Sequence, residues 1–240
     1  MPEAIITLSL PQLSLAFLPV LITLVVLARW SFGVARPVVA LGRMLIQLLL
    51  IGYVLAWIFN AGNGVLILFV LCIMLLASSW IGVGTVPEQR RQLLLASLLA
   101  IAAGGGLTLA LITQLVLALE PWYMPRYMIP LAGMAFANAM TAVSLAAERL
   151  FSELAHGERW PEARLAAYQA AMIPVVNALL AAGLVSLPGM MTGQILSGVP
   201  PTIAARYQIM VMCMIFAAAG LSTALFLSLA RRTAQSAEKA

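Results

Sequence analysis

The sequence predicts an all-α fold: a polytopic membrane helix bundle with seven transmembrane helices. Three observations predict it. The first is composition. The chain has 240 residues, of which 63% are hydrophobic and 9% charged, and its mean hydropathy is +1.05. Soluble domains carry about 25% charged residues, and a water-soluble globule of this size could not hide so much apolar surface. The same numbers exclude a disordered chain. The second observation is the spacing of the charges, which divide the chain into uncharged runs at 4–28, 44–87, 92–119, 127–147, 165–205 and 207–230. The third is the side on which the basic residues fall.

A membrane helix needs about 20 apolar residues at about 1.5 Å each. Runs 4–28, 92–119, 127–147 and 207–230 each fit one span. Glu3 and the lack of a basic leader predict that the first segment stays as a helix rather than being cleaved as a signal peptide. Run 44–87 is long enough for two spans, and Asn60-Ala61-Gly62-Asn63-Gly64 is a turn sequence that predicts a tight hairpin between them. Run 165–205 supplies one span up to Leu187. From Gly189 on it carries Gly189, Gly193, Gly198, Pro200 and Pro201, with Thr192, Gln194 and Ser197. That is poor material for a lipid-facing helix, so the helix is expected to break at Pro188 and continue as a re-entrant segment packed against protein.

Basic residues concentrate on the cytoplasmic side of membrane proteins. Seven spans with the N-terminus outside place Arg29, Arg36, Arg43, Arg90, Arg91, Arg149, Arg159, Arg164, Arg231, Arg232 and Lys239 inside, leaving only Arg126 and Arg206 outside. Two crossings within 165–205 would move the three C-terminal charges outside and spoil that asymmetry. The expectation is therefore an external N-terminus, a cytoplasmic C-terminus and a single permease domain over 1–240 in the cell inner membrane. No loop is long enough to hold a soluble domain.

Enzyme chemistry is nearly missing. The chain has no Asp and one His, so neither a Ser-His-Asp set nor a multi-His metal site can form within it. Gly104-Gly105-Gly106 lies inside an apolar run without a following Lys, and Lys239, the only lysine, sits in the tail. No phosphate loop is present, no cofactor is expected, and ATP hydrolysis would need a partner. The net charge of +5 is scattered rather than arranged as a stripe, which argues against nucleic acid.

Ionisable residues in span centres mark proton or ion relays. Here the span centres carry uncharged polar groups instead, among them Gln47, Asn138, Asn177 and Gln208. With Pro188, Gly189, Met190 and Met191 they are candidates for a substrate pathway. Each polar group equally suits an interhelical hydrogen bond worth about 0.6–2 kcal/mol. The thirteen Met residues suit soft metals but also fill apolar cores. Gly133, Ala137 and Thr141 form one small-residue stripe, with Ala135, Ala139 and Ala147 on a neighbouring face; such stripes allow close helix contact.

Residues 148–164, ERLFSELAHGERWPEAR, are the most polar stretch of the chain. They read as a cytoplasmic loop that either docks a cytosolic protein or merely connects two spans. Glu153, His156, Gly157, Arg159, Trp160, Pro161 and Arg164 are the candidate coupling residues. Pro161 can open a short helix, and Trp160 can anchor at the interface or enter a partner's cleft.

The stretches GRMLIQLLLIGYVLAWIF (42–59), MIPLAGMAFANAMTAVSLAAERL (128–150), AAMIPVVNALLAAGLVSLPGMMTGQILSG (170–198) and RYQIMVMCMIFAAAGLS (206–222) closely resemble the FetB-type permease family. These are read as iron-export subunits of bacterial ABC transporters, with plant relatives linked to aluminium tolerance. The resemblance covers about residues 36–232, and GLVSLPGMM (183–191) is its most specific part. It implies a separate cytosolic ABC ATPase subunit, a homodimer of permeases, and iron as the exported substrate. It also carries over 183–191 and IPLAGM (129–134) as functional positions. The stretch 154–169 departs from the family's pattern, keeping Gly157 and Pro161. A stand-alone secondary transporter or channel is the alternative reading, because a broken helix also suits that class.

Overall fold

The computed structural model describes residues 9–30, 33–231 and 233–234. Those residues are almost entirely helical, as a bilayer demands: without water, every backbone N–H and C=O must be paired within the segment. Seven helices are long and apolar enough to cross a membrane. The contacts divide the chain into two compact units, 1–61 and 62–240.

In the first unit, α1 (Leu10–Leu15) opens on a capping box. The Ser9 amide donates to Gln12 Oε1 at 2.9 Å, and the Gln12 amide donates back to Ser9 Oγ. Through Ala16 the chain enters α2 (Phe17–Arg29), completing the span Pro11–Arg29. α3 (Ala35–Ala61) has 27 residues. At about 1.5 Å per residue it is some 40 Å long, which exceeds the roughly 30 Å hydrocarbon core. Arg36 and Arg43 therefore have room to sit at the interface.

The second unit begins at the expected turn. Gly62 takes φ +52, and Asn63 Oδ1 accepts from the Val65 amide at 2.9 Å to cap α4 (Gly64–Gly82). After residues 83–89 comes one long rod. It consists of α5 (Arg90–Ile101), a π segment (Ala102–Gly106), α6 (Leu107–Ala110) and a second π segment (Leu111–Val116). Next come α7 (Pro125–Ala155), α8 (Trp160–Ala181), α9 (Gly189–Leu196) and α10 (Pro201–Leu229).

α7 and α10 form the middle of this unit. α7 packs on α4, α8 and α10, while α10 also meets α5, the first π segment and α9. Alanines make these approaches close: Ala135, Ala139, Ala142 and Ala146 on α7, Ala163 and Ala167 on α8, and Ala218 on α10 are fully or nearly fully buried. Without a hydrophobic drive inside lipid, helix association rests on such small-residue packing. The stripe of Ala135, Ala139 and Ala147 faces this core, whereas Ala137 and Thr141 are exposed. Of the two faces read from sequence, the one bearing Ala135, Ala139 and Ala147 is the buried packing seam of α7.

The tightest approach is at Gly104. A Cβ there would lie 2.4 Å from the Ser222 amide nitrogen, so α10 can pass only over a glycine. The π segment adds one residue to the turn at this point, which shifts the backbone locally.

Two sequence expectations change. Residues 148–164 are not a loop: α7 continues to Ala155 and α8 starts at Trp160, leaving only 156–159 between them. The reason is local, since the i,i+4 pair Arg149–Glu153 supports the last turn of α7 and Pro161 is well placed in the first turn of α8. The second change concerns the break after α8. It comes at Ala182, before Pro188, where Gly183 takes φ +82.

Candidate functional site

The predicted coupling residues come together at one end of the second unit. His156 caps α7, and its ring Nδ1 lies 2.6 Å from the Ser152 carbonyl oxygen. A carbonyl can only accept, so Nδ1 carries the proton. Gly157 follows with φ +87, the left-handed residue that ends a helix. Arg159 donates to Glu162 Oε1 at 3.0 Å across the start of α8. Trp160 is buried among the apolar core residues of this unit, so its ring is not presented to a partner in this structure; it anchors the turn from inside. Pro161 and Arg164 are exposed.

Two grooves flank this turn. The first, of about 320 Å³, lies between residues 85–89 and the last turns of α7. The second, of about 260 Å³, lies between the first turns of α8 and the end of α10, with Arg164 and Tyr168 on its wall. The 83–89 connector is firmly seated. Val83 and Val86 are buried, Thr85 Oγ1 donates to the Ser144 carbonyl at 3.2 Å, and Arg90 donates to the Trp80 carbonyl at 2.9 Å. The Arg90 guanidinium also stacks 3.6 Å over the Trp80 ring, a favourable cation–π geometry.

The pathway candidates are spread more widely. Gln47 lies exposed on α3 in the first unit, and Asn177 lies exposed on α8. Asn138 is half-buried on α7, and its amide donates to the Met134 carbonyl of its own helix at 2.8 Å. Pro188 stands at the N-cap of α9, Gly189 is its first residue, and Met190 and Met191 follow; Met190 packs against the core. Gln208 is buried on α10 with its Oε1 unpartnered, as is Oε1 of Gln194 on α9. The helices α9 and α10 pack on each other, so 188–191 and Gln208 lie on neighbouring elements of the second unit; Asn138 and Asn177 lie on α7 and α8, which also pack on α10. Neither groove is lined by any of these residues.

Ser97, Ser222 and Thr223 were not singled out from the sequence. With Thr108 and Thr113 they are buried, and the Ser222 and Thr223 hydroxyls have no partner among the described residues. The available signal was Gly104-Gly105-Gly106, where Ser222 of α10 comes close to the rod. Among the described residues no three His, Cys, Asp or Glu side chains gather into a metal-holding cluster.

The family model described as "Uncharacterised protein family (UPF0014)" matches residues 10–234. The UPF0014 membrane protein slr1647 of Synechocystis is 37% identical over 199 residues, 76% of each chain. The probable iron export permease protein FetB of Escherichia coli is 32% identical over 233 residues, 88% of this chain and 86% of the relative. The protein ALUMINUM SENSITIVE 3 of Arabidopsis thaliana is 33% identical over 199 residues, 77% of this chain and 71% of the relative. No solved structure matches the chain. Seven apolar helices and a family match that runs nearly end to end make this a multi-pass membrane protein, and the chain belongs to the UPF0014 family, in which the FetB-type permeases lie.

Proposed function

We propose that the chain is the permease subunit of an ABC-type exporter that moves iron or another metal out of the cytoplasm. A separate cytosolic ATPase subunit drives it, and two permeases pair with two ATPases in the inner membrane. The N-terminus is outside and the turn 156–159 is cytoplasmic. The observation that carries this reading is the construction of that turn. It is short, capped at the end of α7, ion-paired at the start of α8 and anchored by Trp160, so a pull on it moves α7 and α8 together. The basic residues clustered at the same end support the cytoplasmic assignment. The resemblance to a probable iron export permease over 88% of the chain supports the cargo class.

ATP binding at the partner moves the turn, and the spans follow. The weak point of the permease is 182–200, where α8 has ended and α10 has not begun. A cargo metal ion would meet thioether groups there, which suit softer cations, and an amide oxygen, which suits harder ones. Span centres free of acidic residues fit an external motor better than proton coupling.

Co-expression with a cytosolic ABC ATPase subunit from the same organism tests the reading. The two are expected to co-purify, and the permease is expected to stimulate ATP hydrolysis in liposomes. Failure of both overturns it, and metal flux without any ATPase favours a stand-alone transporter. Metal accumulation in cells lacking the permease, compared across several metals, identifies the cargo.

A further inference from the structure

The groove between residues 85–89 and the end of α7 has a shape and charge that the turn alone does not explain. Its walls are mostly apolar, formed by Val86, Pro87, Phe151, Leu154 and Ala155 with Thr85 and Gln89 beside them, and its one charged wall residue is Glu88. The connector cannot swing away, because Val83 and Val86 are buried and Thr85 is tied to the Ser144 carbonyl. On α7, Glu148 falls between Ser144 and Phe151, and helical spacing places it on the face of Phe151 and Ala155. Glu88 and Glu148 are both exposed. Neither has an ion-pair partner among the described residues, where the acids that pair are Glu153 with Arg149 and Glu162 with Arg159. An apolar slot with two free carboxylates at its edge is complementary to an apolar segment carrying a basic residue.

We propose that this groove is the receptor for such a segment of the ATPase subunit: an apolar side chain fills the slot while a Lys or Arg beside it meets Glu88 and Glu148. The inference rests on the permease reading and deepens it. The slot is continuous through the end of α7 with the 156–159 turn, so one partner covers both. A partner held in the groove also grips the α4–α5 connector, which links the motor to a second pair of spans.

The test measures affinity of the purified permease for the ABC ATPase subunit that co-purifies with it, with Glu88→Lys, Glu148→Lys and Ala155→Trp as variants. Glu120→Lys, on the connection before α7 and away from the groove, is the control. All four positions are exposed, and thermal unfolding in detergent confirms that each variant is folded. Each groove variant is expected to bind about tenfold more weakly, a change of about 1.4 kcal/mol. The charge reversals are expected to flatten the salt dependence of binding, and the control to leave it unchanged. Wild-type affinity in all three groove variants overturns the groove assignment while leaving the permease reading intact. Loss of permease–permease association with unchanged ATPase binding also overturns it, by assigning the groove to a second copy. Absence of binding by the wild-type chain overturns the permease reading itself.

Discussion

The connection between α7 and α8 and the connection between α8 and α10 are built on opposite principles. The first has four residues, a capped helix on one side, an ion-paired helix start on the other, and Trp160 buried behind it. The second runs over 182–200, and Leu184 and Val185 are 91% and 85% exposed. Its only regular element is the eight-residue α9, which has no buried residue. The first is a lever because it has little freedom to bend. The second has few internal contacts to resist a change of shape, and low contact density is where local opening costs least. In the proposed reading, force enters at one and is spent at the other.

Breaking the lever from inside should have the largest effect. Trp160→Ala is expected to destabilise the protein by about 3–5 kcal/mol, the usual cost of emptying a buried aromatic site. Thermal unfolding in detergent reads this as a large drop in Tm, and an unchanged Tm would show that the turn does not depend on its anchor. Next comes the outer surface of the lever. Arg159→Glu combined with Arg164→Glu removes one exposed ion pair, which contributes little to stability, so insertion and folding should survive. Stimulation of the ATPase should fall about tenfold or more, equivalent to at least about 1.4 kcal/mol of coupling. Unchanged stimulation would reduce the turn to a plain connector.

A matched pair sharpens the comparison. Gly157 and Gly183 both hold positive φ, at +87 and +82, and an Ala at either costs about 1–2 kcal/mol of backbone strain. The stability losses should therefore be alike and the functional losses different. Gly157→Ala should weaken ATPase stimulation at unchanged metal selectivity. Gly183→Ala should lower metal flux while leaving ATPase binding intact. Equal functional profiles would dissolve the division of labour. The smallest effect is expected from Pro188→Leu. α8 has already ended at Ala181, so this change cannot join α8 to α9, and Tm should stay within a degree or so of wild type, in line with a change below about 0.5 kcal/mol. A modest fall in flux is expected, and wild-type flux would remove Pro188 from the pathway.

The candidate coupling site was legible in the sequence because it is continuous. Glu153, His156, Gly157, Arg159 and Arg164 lie within a few turns of one another, so wherever that stretch goes they go together. Its helical form was less legible. Polarity alone reads as a loop, while the pairing of Arg149 with Glu153 and the placing of Pro161 extend the helices from both sides. The pathway candidates were chosen for being polar inside apolar runs, and that property does not say which neighbour a side chain meets. Asn138 turned out to satisfy itself on its own helix, and Gln208 did not.

By itself, the sequence determined the number of spans, their limits to within a turn or two, and the asymmetry of the basic residues. These follow from the bilayer, which admits only long apolar helices and taxes every charge placed inside it. Tertiary structure decided which alanine face of α7 becomes the packing seam, where Gly104 lets α10 pass, and that a seated connector and the end of α7 enclose a groove edged by Glu88 and Glu148. Those outcomes depend on contacts between residues far apart in the chain, and no local pattern of hydrophobicity or charge encodes which helix will lie against which.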